Sequence, residues 1–147
     1  MNTLSLNYVR QFAEICDTVP PCEIAEVAAR IIEVLPDMLR VPFDYDWSDR
    51  RARVQGLLDD KAYESALMAL IPEDTRISAS LGQPFRFTFT QNSRRVALRS
   101  YTSNSPVFSL ALLGCYLRFI ADEAELPPSE HCLEAAEHPR LRLVSST

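Results

Sequence analysis

Phe85, Phe87 and Phe89 alternate with Arg86, Thr88 and Thr90. After Gln91-Asn92-Ser93-Arg94, Val96 and Leu98 alternate with Arg95, Ala97 and Arg99. Alternation with a period of two is the mark of a strand with one buried and one wet face. Arg76-Ile77-Ser78-Ala79-Ser80-Leu81 alternates in the same way and predicts a first strand, with Gly82-Gln83-Pro84 as the turn. If Asn92-Ser93 form a two-residue turn, Phe89 faces Val96, Phe87 faces Leu98 and Phe85 faces Ser100, and both apolar sets fall on one side.

Helical periods surround this meander. Tyr8, Phe12 and Ile15, with Val9 and Cys16 alongside, make one face of a helix over 5–17, which Pro20-Pro21 stops. Ile24, Val27, Ala28, Ile31 and Leu35 form the stripe of a second helix, which Pro36 is expected to end. Residues 36–47 read as a loop with a short strand. Ser48 is a candidate N-cap for a short helix through Leu57-Leu58, weakened by Gly56. A helix from about Lys61 to Ile71 buries Ala62, Ala66, Leu67, Leu70 and Ile71, and Pro72 closes it. Ser105-Pro106 opens the last main helix, with Ser as cap and Pro at the first helical position. Its body, Val107 to Ala121, is apolar almost all round and must be buried on several sides.

The expected fold class is therefore α/β of the α+β kind: a small antiparallel sheet of three or four strands layered between or against helices. The Ser105 and Lys61 helices are expected on its apolar face. One domain spans 1–147, with an N-terminal helical part over 1–58, an α-β-β-β-α core over 60–122, and a short C-terminal helix and tail over 127–147. The last main helix offers more apolar surface than one small sheet can cover. Cover by the two N-terminal helices in a monomer is favoured, with a homodimer as the alternative.

Ala66, Leu70, Ile71, Pro72 and Glu73, and further on Ser105-Pro106 followed by Leu110 and Ala111, resemble the small phage ABA sandwich domain family. The likeness covers 60–122. It implies helix–sheet–helix layering and a phage or prophage origin, and gives no residue a role. The family's usual Gly after the Glu is replaced here by Asp74. The same element order belongs to the double-stranded-RNA-binding domain, whose second helix opens on a lysine cluster. Ser105-Pro106-Val107-Phe108 holds no base at that position.

Charge refines the picture. The chain has 147 residues and a formal net charge of -5, but the segments differ: -5 over 1–60, +3 over 61–104 and -3 over 105–147. An acidic total argues against non-specific nucleic-acid binding. The basic middle keeps a local anion site open, and Arg76, Arg86, Arg95 and Arg99 are the candidates for it. With Ser78, Ser80, Thr88 and Thr90 they are expected on one polar sheet face, with Arg86 opposite Arg99, a pairing that normally repels. Water, or the acidic N-terminal segment, would neutralise such a face without any ligand.

Other chemistry finds little support. Asp44, Asp46 and Asp49 crowd one stretch, but the Gly and Glu of a calcium loop are missing. His131, Cys132 and His138 lack zinc spacing. Gly56, Gly82 and Gly114 are too scattered for a phosphate loop, and Gly-x-Ser-x-Gly is absent. No metal or cofactor is expected. Four cysteines without a secretory signal read as reduced thiols in the cytoplasm. No apolar run reaches the ~20 residues of a membrane span. The residues point to a non-catalytic interaction or accessory protein with an unknown protein partner. An anion, nucleotide or nucleic-acid binder and an uncharacterised enzyme are the alternatives.

Overall fold

The computed structural model describes residues 3–40, 45, 47–48, 50–73, 75–91 and 99–125. Among these residues five α-helices and a three-stranded antiparallel sheet make an α+β fold, in the order α1 (Thr3–Thr18), α2 (Ile24–Arg40), α3 (Arg51–Asp59), α4 (Tyr63–Met68), β1 (Thr75–Ser80), β2 (Phe85–Gln91), β3 (Arg99–Ser103) and α5 (Phe108–Glu125). The sheet order is β1-β2-β3. The expected C-terminal helix and tail, and Asn92-Ser93, lie outside the described residues.

Helix α5 is the centre of the molecule. Its side chains are buried almost without interruption from Ser109 to Ala121. Sheet strands β2 and β3, helix α1 and helix α4 all pack against it. The phenylalanine ladder of β2 lies on the buried face: Phe87 and Phe89 have no exposed surface. Phe108 meets Phe85 and Phe87 edge-on at 5.5 and 5.4 Å, and Phe119 stacks on Phe89 at 5.3 Å. Strand and helix therefore run in the same direction. At its start, the buried Ser105 hydroxyl accepts the Val107 N–H at 3.1 Å. The cap thus holds the entry turn, and regular helix begins at Phe108, within the usual spread of helix ends.

Helix α1 packs with a different face from the one its large residues suggest. Leu6, Val9, Ala13 and Cys16 are buried, while Tyr8 and Ile15 are 47% and 44% exposed. Closeness explains it. A Cβ placed on Gly114 of α5 would lie 3.1 Å from the Cys16 Cβ and 3.2 Å from the Ala13 carbonyl. Small residues at Ala13, Cys16 and Gly114 let the two backbones approach, and Tyr8 and Ile15 are left outside.

Helix α2 runs through Pro36 to Arg40 instead of ending there. Proline removes one backbone donor and crowds the preceding turn. Burial of Leu35, Pro36 and Leu39 on the inner stripe offsets that cost. The helix packs on α4. Helix α4 is shorter than expected, and its main contacts are with α5, α2 and α3. It backs the α5 helix, whereas the sequence suggested that it would lie on the sheet.

Two glycines give opposed expectations. Gly56 in α3 has open space where a Cβ would go, so Gly56→Ala should raise stability by up to ~1 kcal/mol through helix propensity. Gly114→Ala should lower it by ~1–3 kcal/mol despite the same propensity gain, because α1 must move off α5. Urea denaturation of both variants checks this; a more stable Gly114→Ala would contradict the close approach.

Burial pushes the Cys16 thiol from 9.0 up to about 12, with Asp17 adding to it, and burial likewise pushes Cys115 to about 12. The unfolded thiols ionise near 9 while the folded ones keep their protons. The contribution of these thiols should therefore be constant below pH 9 and be lost as pH rises from 9 toward 12. Buried Tyr45, raised from 10.0 to about 12, adds to the upper part. Denaturation midpoints across this window should fall less steeply in Cys16→Ala than in the wild type.

Candidate functional site

The face of the sheet opposite α5 is open. On β1 and β2 the register pairs Arg76 with Thr90, Ser78 with Thr88 and Ser80 with Arg86. On β2 and β3 it pairs Arg86 with Thr102 and Thr88 with Ser100. Paired residues point the same way, so one face carries Arg76, Arg86 and six hydroxyls. Arg76, Ser78, Ser80, Arg86, Ser100 and Thr102 are exposed. Thr88 and Ser100 hydroxyls bond each other at 2.7 Å. The strands contain no acid. Arg76 and Arg86 sit about 14 Å apart along the strands, at roughly 3.4 Å per residue.

Arg99 does not share this face. It lies opposite Phe89, not Arg86, with Tyr101 opposite Phe87 and Ser103 opposite Phe85. The register is displaced by three positions from that of a two-residue turn. An odd displacement turns every side chain of the strand over. Arg99, Tyr101 and Ser103 thus point into the helical layer, and the expected Arg86–Arg99 opposition does not exist. Arg95 lies outside the described residues. Of the four arginines singled out from sequence, the structure brings Arg76 and Arg86 together on the open face.

The inward polar residues of β3 have partners waiting on the helices. Arg99 Nε lies 3.5 Å from a carboxylate oxygen of Glu123, whose side chain is 4% exposed. Tyr101 donates to Asp122 at 2.6 Å. Burial, with Asp122 adding to it, raises the Tyr101 pKa well above its ordinary range. Arg10 of α1 reaches both Asp122, at 3.0 Å, and Glu125, at 2.6 Å. At the other end of β3, Ser103 donates to Asp17 at 2.6 Å, and Asp17 also pairs with Arg118. Every one of these residues is polar, so a search for apolar alternation passes over the whole set.

A surface cleft of about 520 Å³ lies between α2 and α3. Trp47, Glu33, Asp37, Arg51 and Gln55 are among its lining. The described lining holds no Ser, Cys or His that could act as a nucleophile or imidazole base. Asp44, Asp46 and Asp49, singled out as a carboxylate cluster, lie outside the described residues. Among the described residues no group of three or more His, Cys, Asp or Glu could hold a metal ion. No helix among them is long and apolar enough to cross a membrane.

Family models, curated proteins and solved structures give no match to the chain.

The two kinds of arginine should respond differently to truncation. Arg99→Ala takes a guanidinium from beside the buried Glu123 and should cost ~1–3 kcal/mol. Arg86→Ala, on the open face, should change stability by no more than ~0.5 kcal/mol. Chemical denaturation of the two single variants checks the assignment; equal effects would contradict the observed register.

Proposed function

We propose that this chain is a small, non-catalytic interaction protein that meets an acidic protein surface through the open face of its sheet. The observation that carries this reading is the uncovered width of that face: two arginines among six hydroxyls, and no acid on any of its three strands. Exposed guanidinium groups pair with carboxylates through planar, two-pronged hydrogen bonds. The hydroxyls add donors and acceptors at low conformational cost. A partner carboxylate over this face gains charge-assisted bonds that an ordinary solvated strand face does not offer.

The net charge of -5 argues for a protein partner over nucleic acid. Two arginines on one face release few counterions, too few for the strong backbone binding that nucleic acid requires. On the likeness of residues 60–122 to the phage ABA sandwich domain, we place the protein's origin in a phage or prophage genome. Its working place is the reducing cytoplasm, a reading in keeping with free Cys16, Cys22 and Cys115.

Fluorescence anisotropy with labelled polyglutamate tests the reading. The wild type should bind at low salt and lose binding as salt rises. Arg76→Ser with Arg86→Ser should abolish binding while leaving the melting temperature unchanged. No binding by the wild type at low salt retires the acidic-partner reading. Tighter binding of a single-stranded oligonucleotide than of polyglutamate would assign the face to nucleic acid.

A further inference from the structure

Helices α2 and α3 both pack on α4 and scarcely touch each other. The surface cleft of about 520 Å³ lies in the gap this leaves, and its size is that of a small-molecule site. Ile32, Glu33, Pro36 and Asp37 line it from one face of α2. Trp47, Arg51, Gln55 and Leu58 line it from the other side. The Trp47 carbonyl accepts the Arg51 N–H at 3.0 Å, which sets the tryptophan one turn ahead of α3 on the same face. The floor is apolar: Ile32 and Pro36 are buried, and Trp47 and Leu58 are half-buried. The rims are exposed and charged, with Glu33 and Asp37 on α2 and Arg51 on α3. Gln55, also on the α3 rim, gives its amide to Asp59 at 3.0 Å.

The rims carry opposite charge, and each charge has the sign of its own helix end. Asp37 stands in the last turn of α2, the negative end of a helix. Arg51 stands in the first turn of α3, with Arg53, and that turn has no acid and no side-chain cap. Such placements are unfavourable until a counter-charge arrives. Pro36 sharpens the acidic side, since it has no N–H to give the Ile32 carbonyl four residues back. The rims do not neutralise each other. Among the described residues Glu33, Asp37 and Arg51 make no ion pair.

We infer that this cleft binds a short zwitterionic peptide, the smallest being a dipeptide with an aromatic side chain. Its ammonium group meets Glu33, Asp37 and the Ile32 carbonyl. Its carboxylate meets the guanidinium fork of Arg51. Its aromatic ring lies against Trp47 and the apolar floor. A plain cation satisfies one rim and a plain anion the other; a zwitterion satisfies both. The separation of the rims sets the length. The two charges of a free amino acid sit on one carbon, whereas two extended residues span ~7 Å. The cleft lies on helices away from the open sheet face, so this inference does not rest on the proposed function.

Trp47 is the only tryptophan of the chain, so its fluorescence reports on the cleft directly. Titrating the full chain with phenylalanyl-alanine should change that emission saturably. N-acetylation of the dipeptide, or amidation of its C-terminus, should each weaken binding by ~10-fold or more, as loss of one charge-assisted contact does. Arg51→Gln should weaken binding of the free dipeptide by a similar factor and leave binding of the amidated form unchanged. Glu33→Gln with Asp37→Asn should do the same toward the free and the acetylated forms. These side chains are exposed, so the melting temperatures should stay at the wild-type value, and Arg53→Gln, outside the cleft lining, should bind as the wild type does. Absence of a saturable response in the wild type overturns the proposal. So does a doubly blocked dipeptide that binds as tightly as the free one, or an unchanged affinity in Arg51→Gln.

Discussion

A helix without a polar face cannot lie on a surface. From Ser109 to Ala121, α5 presents buried positions in every direction. At about 25 cal/mol per Å², leaving even two of its large side chains in water would cost several kcal/mol. The rest of the chain is arranged around that constraint. Strands β2 and β3 cover one side, α1 another, and α4 a third. Helices α2 and α3 then form the outer layer through their contacts with α4. The apolar excess that could have called for a second subunit is absorbed within one chain, chiefly by the close approach of α1 at Gly114.

Close packing around an apolar helix leaves the polar groups of β3 with nowhere to go but inward. They are tolerated because α5 and α1 carry complementary groups. Asp122 and Glu123 receive Tyr101 and Arg99 at the helix C-terminus. Asp17, brought in by α1 and paired with Arg118, receives Ser103 near the other end of the strand. These contacts join segments far apart in sequence, and each satisfies a group that would be costly to bury alone. They also fix the strand's register, since any odd slip would turn Arg99 and Tyr101 out and bring Ser100 and Thr102 in.

The elements that rest on apolar periodicity alone were legible in the sequence: the Phe85–Phe89 strand, its buried face, and α5 buried on all sides. What escaped it depends on partners that a local pattern does not contain. Arg99 looks like an outward position of its strand, yet Arg99, Tyr101 and Ser103 occupy the inner face, because carboxylates on α1 and α5 accept them; Val96 and Leu98 lie outside the described residues. Tyr8 and Ile15 look like part of the buried stripe of α1, yet Ala13 joins the expected Val9 and Cys16 there instead, because Gly114 opposes Ala13 and Cys16. Pro36 looks like a helix end, yet Leu39 keeps the helix going beyond it. Of the candidate site, the polar parity of Arg76 and Arg86 could be read from β1 and β2. The placement of Arg99 could not, since it follows from the register of β3.

The same geometry explains why the outer face of the described sheet and β1 are exposed. A helix is about 10 Å across, and neighbouring strands are about 4.8 Å apart. A single helix centred on β2 and β3 does not reach the far side of β1. Helix α1 does not make up the difference, because its ties to the strands run through Ser103 of β3, on the opposite flank. The overhang of β1 thus follows from where α1 is anchored, and its exposed Ile77 from the overhang. On the outer face no helix is present among the described residues to cover the arginines, and the described apolar residues of β2 point toward α5. Covering that single helix leaves the described sheet with an exposed β1 and a polar outer face.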